Sequence, residues 1–305
     1  MADGLVIRSA TLEDYQGVMD IRIVYGGRDY LPAQYDKYLK QFNCLVGEID
    51  DEIVAFHADK VIDAGVAMTT AAARVKESYQ GRGILAAILK HVRDSYINQK
   101  TVKYEVMTVN NVNSHGERIK RKFTQILQRI VVEIIGEVRD FKPNIESDPT
   151  KVQELTSEDL KAIFQSKDMC AKSFPGERIV PNWYPYRLLP ENIPLMMDGS
   201  KFWGTKGSDE TTAYTTLSVT EHFNLGDRLM FKFCIYGNDV INIQQHCMKH
   251  IQNLNHLVKM SIIIHITYSL DCRDTATFLS LFENSGLKIN DDFPRNRMLV
   301  FEREY

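Results

Sequence analysis

Paired cysteines are absent. The five thiols (Cys44, Cys170, Cys234, Cys247 and Cys272) form an odd, scattered set with no Cys-x-x-Cys spacing, so neither a thiolate zinc site nor a redox dithiol has support. Net charge is small: −3 over 305 residues gives no broad field for nucleic acid or an anionic membrane. The one dense basic run, Arg118-Ile119-Lys120-Arg121-Lys122, reads as a solvated helix face, or as help for the phosphates of a bound cofactor. Long apolar runs are missing too. The most apolar, Met260 to Ile266, is far too short to span a bilayer and, being β-branched, reads as a buried strand. The opening Met-Ala-Asp-Gly-Leu-Val-Ile-Arg has no apolar centre of a secretory signal. The expectation is a cytoplasmic protein without membrane, nucleic-acid or metal partners. The common nucleotide motifs are also lacking, because Ala86 breaks Gly-x-Gly-x-x-Gly and Walker A has no Gly-Lys-Ser/Thr.

What is present centres on Tyr79-Gln80-Gly81-Arg82-Gly83-Ile84-Leu85-Ala86-Ala87-Ile88-Leu89. A strand-like run, Met68 to Val75, precedes it, and an apolar stripe at Ile84, Ile88, Leu89 and Val92 follows at helical spacing. Glycine permits positive φ and close backbone approach. The first N–H groups of a helix have no internal partner, and with the positive end of the helix dipole they suit a phosphate. A pyrophosphate-bearing cofactor fits this turn. On the glycines alone an ordinary strand-to-helix connection is the favoured reading.

Leu5 to Arg8 reads as a strand, and Thr11 caps a helix with Asp14 three residues on. An aromatic, turn-rich loop, Val24 to Pro32, leads into a helix from Ala33 to Lys40. Cys44–Ile49 and Ile53–Ile62 form a hairpin whose acidic tip is Asp50-Asp51-Glu52, read as a turn rather than a metal or acid–base pair. Strands follow at Val66–Val75 and Val102–Val109, then a helix from Ser114 to Lys122 and an apolar stretch from Ile126 to Val138. The polar segment Asn144–Thr156 sets a domain boundary, giving residues 1–145 and 146–305.

The second half opens with a helix, Ser157–Gln165, and an irregular aromatic segment from Ser173 to Pro190 that wraps a surface. Strands near Phe202, Tyr214–Val219 and Met230–Tyr236, a helix Ile241–Leu257, a strand Ser261–Thr267, a helix Thr275–Ser285 and a strand Met298–Glu302 repeat the later order of the first half. At the equivalent turn, Tyr236-Gly237-Asn238-Asp239 has no Gly-x-Gly, and Asp239 puts negative charge where a phosphate would sit. The fold class is α/β with a mixed sheet, and the second unit is a degenerate copy.

Gln80-Gly81-Arg82-Gly83-Ile84-Leu85 resembles the Gln/Arg-x-x-Gly-x-Gly/Ala signature of the GNAT superfamily of N-acetyltransferases, and the element order of residues 1–140 is the GNAT order. Three further stretches narrow the resemblance to histidine N-acetyltransferase-like proteins: Gly26 to Tyr35, Phe174-Pro175-Gly176 with Asn182 to Arg187, and Ile235-Tyr236-Gly237 through Phe301-Glu302. The resemblance implies direct transfer of acetyl from acetyl-coenzyme A to the α-amine of free histidine or a related small amine. It also implies that Gln80, Gly81, Arg82, Gly83, Ile84, Leu85 and Asn113 hold the coenzyme. Many GNAT enzymes carry a tyrosine general acid where this chain has Lys120. A coenzyme-binding scaffold without catalysis is the rival reading.

Attack of an amine on a thioester needs a neutral amine and a polarised carbonyl. Backbone N–H groups from Ala73 to Val75 are candidates for the second task. For the base, Glu105 comes first, with a surface position on an alternating strand as its other reading, and His57 next, with Glu48 behind them. Asp29 and Tyr30 are the candidates for contact with the acceptor. His246 and His250 stand at i, i+4 but have no third ligand, and read as a polar helix face.

Overall fold

The computed structural model describes residues 4–22, 28–99, 101–110, 119, 121–137, 149–207, 214–237, 239–255, 261–269, 279–280, 283–284, 287–290 and 296–305. Two compact units emerge: Met1–Met107 with Arg303–Tyr305, and Thr108–Glu302. The expected boundary at 145 lies elsewhere because the polar segment it rests on follows a strand, Thr124–Glu137, that pairs wholly within the second unit. Among the described residues no helix is long and apolar enough to cross a membrane.

In the first unit, β1 (Val6–Ser9), α1 (Tyr15–Met19), α2 (Leu31–Gln41), β2 (Asn43–Ile49), β3 (Glu52–Ile62), β4 (Ala67–Val75), α3 (Ile84–Gln99) and β5 (Tyr104–Asn110) follow in sequence. The strands lie in the order β1-β2-β3-β4-β5, antiparallel except for the parallel pair β4–β5. The β2–β3 hairpin closes through Asp50 and Asp51, at φ 52° and 62°. Two left-handed residues match the right-handed twist of the flanking strands, and short acidic side chains tolerate that region. Glu52 is instead the first residue of β3, where it accepts from Lys76 and, at 3.0 Å, from Tyr79 Oη. Along α3, Ile84, Ile88 and Val92 recur every four residues, each no more than 1% exposed, and pack on Leu45, Val54, Ala55 and Met68. Each such side chain contributes roughly 1.5–3 kcal/mol by leaving water. That stripe fixes which face of α3 meets the sheet. α2 covers the opposite face, where Tyr35 meets Phe56 with ring centres 6.0 Å apart.

The second unit holds β6 (Thr124–Glu137), β7 (Gln153–Glu154), α4 (Ser157–Gln165), α5 (Lys167–Ser173), β8 (Arg178–Ile179), β9 (Tyr186–Arg187), α6 (Ile193–Met197), β10 (Lys201–Lys206), β11 (Tyr214–Asn224), β12 (Arg228–Tyr236), α7 (Val240–Asn255), β13 (Ser261–Ser269), β14 (Lys288–Ile289) and β15 (Asn296–Glu304). Its sheet runs β15-β6-β13-β12-β11-β10-β7, with β14 beside β6 and β12–β13 parallel. The expected irregular segment is present as short turns around β8 and β9. The helix expected at Thr275–Ser285 lies largely outside the described residues.

One expectation is overturned here. His246 and His250 do not form a polar outer face; they are 0% and 2% exposed on the sheet side of α7. Ser218 Oγ lies 2.7 Å from His246 Nδ1 and 2.6 Å from His250 Nε2, and Thr205 Oγ1 lies 3.0 Å from His246 Nε2. Hydroxyls on β10 and β11 supply the partners that let a polar helix pattern turn inward, which helical spacing alone does not reveal. Burial lowers the His246 pKa to about 3, and that of His250 well below its ordinary value.

Because these imidazoles stay neutral in the fold but take up protons in the unfolded chain, stability falls as pH drops below about 6.5 and keeps falling toward the folded-state value. Urea unfolding at pH 7.5 and 5 should show wild type losing about 2 kcal/mol more than His246→Gln over that interval, from 1.5 pH units at 1.36 kcal/mol each. Equal losses in the two proteins would contradict the assignment.

Candidate active site

β4 stays paired with β3 along its length but parts early from β5. The parallel pairs are Ala67↔Tyr104, Met68↔Glu105 and Thr69↔Val106, whereas β4 continues to Val75. Beyond Thr69 the backbone edge that faces away from β3 therefore has no strand partner among the described residues. The pairing with β3 is itself broken by a bulge, since Phe56 opposes Arg74 but Ala58 opposes Ala71. Ala72 and Ala73 thus share His57 as their opposite. Ala72 takes φ 52°, a left-handed conformation that costs an alanine roughly 1–2 kcal/mol. Ala73 is turned to solvent between the buried Ala72 and Arg74. Bulges re-aim a strand, and strain of this kind gathers where a backbone serves a ligand.

The edge leads into the glycine turn. Gly81 and Gly83 have φ 79° and 81°, and a Cβ on either would meet nothing within 4 Å. Their requirement is backbone freedom beside open space, which is what a ligand lying on the turn needs. Gln80, Gly81, Arg82 and Gly83 are exposed, Ile84 is buried under the turn and Leu85 is half-buried. Gln80 Nε2 donates to the Val75 carbonyl at 3.4 Å, and the Arg82 guanidinium sits 4.8 Å from the centre of the Tyr79 ring. The bond from Ala87 N–H to the Gly83 carbonyl, 3.0 Å, starts the helical ladder, and the preceding N–H groups of α3 point from its first turn. Ala73, Val75 and Gln80–Leu85 hence form one continuous stretch; Asn113 lies outside the described residues.

The polar candidates divide by face. Asp29 accepts from Arg74 Nη1 at 2.8 Å and Nη2 at 3.2 Å, and from the Leu31 N–H at 3.1 Å at the start of α2. Tyr30 packs on Tyr38, with ring centres 5.8 Å apart. These lie on the α2 face. On the α3 face, His57 is 0% exposed and neither ring nitrogen has a hydrogen-bond partner among the described residues; Nε2 is 3.5 Å from Asp59 Oδ1. Asp59 accepts from Tyr96 Oη at 2.6 Å and Asn43 Nδ2 at 3.1 Å. Burial, then the bond to Asp59, holds the Tyr96 phenol far above its usual range, so it remains a donor. Glu48, on β2, accepts from Arg8.

Glu105 is neither exposed nor available. It is 0% exposed, and its carboxylate accepts from Arg93 Nε at 2.9 Å and Nη2 at 3.2 Å, Arg303 Nε at 3.0 Å and Nη2 at 2.6 Å, and Tyr305 Oη at 3.2 Å. Burial and then the Glu105 charge push the Tyr305 phenol up to about 12. Four of these five bonds converge on Oε2 and one reaches Oε1, and two guanidinia beside the buried carboxylate favour its charged form over taking up an amine proton. The geometry is that of an anchor tying α3 and the last residues of the chain to β5, which corrects the surface reading and sets Glu105 behind His57 as a base. The sequence reading missed Arg74 and Arg303; a basic residue at the end of a strand is too common a signal to find either.

At the equivalent position the second unit is closed. β12 and β13 stay paired through Cys234↔Thr267, and beyond that Arg129 Nη2 donates to the carbonyls of Ile235 and, at 3.2 Å, Thr267. Arg129 is 1% exposed, with its guanidinium 4.0 Å from the Tyr236 ring centre. At the head of α7, Asp239 Oδ1 accepts from the Asn242 N–H at 3.1 Å, occupying a donor that a phosphate would use.

Residues 147–269 match the model of the family described as "Histidine N-acetyltransferase, C-terminal". The chain is similar to the histidine N-acetyltransferase of Oreochromis niloticus, 21% identical over 269 residues, covering 82% of this chain and 79% of that one. It is also similar to the histidine N-acetyltransferase of Xenopus tropicalis, 20% identical over 240 residues, 75% of this chain and 74% of that one. Among solved structures, a tandem GNAT protein from the clavulanic acid biosynthesis pathway aligns over 98% of both chains at TM-score 0.59 and 11% identity. A GCN5-related N-acetyltransferase from Sphaerobacter thermophilus aligns over 99% of this chain and 96% of its own at TM-score 0.56 and 9% identity. The fold is that of the GNAT proteins, and the sequence is similar to histidine N-acetyltransferases over about four-fifths of its length.

The anchor assignment has a direct test. Glu105→Gln leaves Arg93 and Arg303 facing a neutral amide, which should cost about 2–3 kcal/mol of stability, below the 3–5 of a fully buried pair because both guanidinia are partly solvated. Thermal unfolding should register that loss while the folded variant retains its turnover. Unchanged stability with abolished turnover would return Glu105 to the role of base.

Proposed function

We propose that this protein is an N-acetyltransferase that moves an acetyl group from acetyl-coenzyme A to the α-amine of a free amino acid, with L-histidine as the first acceptor to test. The similarity to histidine N-acetyltransferases over about four-fifths of the chain supports the acceptor class. The observation that carries the reading is the unpaired edge of β4, bulged at Ala72–Ala73 and running into the Gly81/Gly83 turn at the head of α3.

When bound, the coenzyme supplies an activated acetyl thioester. The N–H groups at the start of α3 and the freed backbone of Gln80–Gly83 are suited to its pyrophosphate. The N–H groups of Ala73 and Val75, on the unpaired edge, are suited to the developing negative charge on a carbonyl oxygen, because donors already fixed in place need no reorganisation. The amine must be neutral to react. With Glu105 held by Arg93 and Arg303, His57 is the base of this reading: its ring has no hydrogen-bond partner among the described residues and Asp59 lies 3.5 Å from Nε2. The ring is fully buried on the α3 face, so in this reading a water at the strand edge would have to carry the amine proton to it. The second unit, closed by Arg129 and Asp239, serves as scaffold.

Release of free thiol from acetyl-coenzyme A, measured against a panel of amino acids and simple amines, tests the acceptor. Histidine is expected to give the highest kcat/KM; release with another amine alone would keep the transferase and discard histidine. Gly83→Asp, which adds charge and an unfavourable φ at the turn, should raise the coenzyme KM by roughly tenfold or more while the protein stays folded, its stability lowered by only about 1–2 kcal/mol, since a carboxylate repels phosphate at the helix head. Retained affinity would contradict the coenzyme site. His57→Asn should lower kcat by about 10²-fold or more with coenzyme affinity intact; an unaltered kcat would remove His57 from the mechanism.

A further inference from the structure

Arg74 has no part in the steps above, yet its guanidinium is buried and held by three hydrogen bonds. It lies directly after the bulge, opposite Phe56. Partners across antiparallel strands share a face, so Arg74 projects on the α2 face with Phe56 and Tyr35. Its side chain is 2% exposed. Asp29 takes one N–H from each terminal nitrogen, and Nε–H reaches the carbonyl of the strained Ala72 at 3.5 Å. A guanidinium has five N–H donors. Three are used, which leaves two that no described residue accepts.

A buried ion pair is a poor way to gain stability, because desolvation offsets most of the attraction. What such a pair does supply is a fixed fork with directed donors. Asp29 already demonstrates that a planar carboxylate fits this guanidinium. It also neutralises the charge, so a further anion would be drawn by the two open donors rather than by net field. That arrangement favours a zwitterion over a simple acid: a carboxylate on Arg74, compensated by its own ammonium, beside a second carboxylate on Asp29.

From this geometry we infer that Arg74 is the specificity residue that reads the free α-carboxylate of the acceptor, with Asp29 as the positioning residue that holds the fork in place. The inference rests on the amino-acid reading proposed above and narrows it. Acceptors are α-amino acids with a free carboxylate; peptide amines, polyamines and amino-acid amides are discriminated against.

The experiment compares L-histidine with L-histidinamide on wild type and Arg74→Gln, by thiol release and by ligand-induced thermal stabilisation. Wild type should prefer the free acid by about tenfold or more in kcat/KM, and the variant should bring the two within about twofold, as expected when a directed donor pair is lost. A purely structural role for Arg74 would lower both substrates together and leave their ratio unchanged, which would overturn the inference. Equal use of the two by wild type would overturn it as well. Should wild type turn over neither compound, the acceptor reading falls, and the binding arm decides: stabilisation by the acid alone, lost in Arg74→Gln, supports carboxylate recognition, and its absence refutes it. If Arg74→Gln does not fold, Arg74→Lys keeps the charge beside Asp29 but not the fork, and the same collapse of the ratio is expected.

Discussion

β4 answers to two neighbours, and the site follows from its keeping one and leaving the other. Hydrogen bonding to β3 holds the strand in place as far as Val75, while the parallel ladder to β5 ends at Thr69↔Val106. A strand anchored on one side can expose the backbone of its other side without unfolding, and such donors are what a thioester carbonyl requires. The bulge at Ala72–Ala73 rotates the exposed stretch, and the left-handed φ of Ala72 is the local strain that goes with it. The glycine turn and α3 then follow from where β4 stops. Three buried apolar side chains on α3 and the bond from Arg93 to Glu105 fix the helix against the sheet, so the head of α3 meets the end of β4 rather than drifting along the surface.

The second unit carries the same order of elements with the opposite outcome. Its parallel pair stays closed, and a buried arginine from a third strand ties the carbonyls at the point where separation would begin. The head of its helix is satisfied internally by Asp239. Two substitutions of donor chemistry, a guanidinium at the strand ends and a carboxylate at the helix head, turn a binding geometry into a structural one. The inward-facing pair His246 and His250, bridged by Ser218, shows the same trend, with polar groups spent on one another.

Local features were legible in the sequence. The stripe Ile84, Ile88, Val92 marks α3, the Asp50-Asp51 tip marks the hairpin, and Gly81 and Gly83 sit at positive φ as their spacing anticipates. Asp239 heads its helix as expected. Long-range pairings were not legible. Glu105 is bound by Arg303 and Tyr305, about two hundred positions away, and alternation along a strand says nothing about such partners. Asp29 meets Arg74 across 45 positions. The bulge is invisible in an alanine run, because Ala71, Ala72 and Ala73 differ only in backbone conformation. His246 and His250 turn inward because hydroxyls on other strands meet them, and helical period cannot distinguish that from a solvated face. The compact units escaped the composition argument for a related reason: a polar segment is visible in sequence, whereas the pairing of β6 with β13 and β15 is not.

Amide hydrogen exchange in the presence and absence of coenzyme A tests most directly the claim that the first unit alone receives the cofactor on its freed strand edge and glycine turn. Peptides spanning residues 70–87 should gain protection with the coenzyme, while those spanning 235–243 should exchange at the same rate in both conditions. Protection at 235–243 with none at 70–87 would assign the cofactor to the second unit and contradict the account.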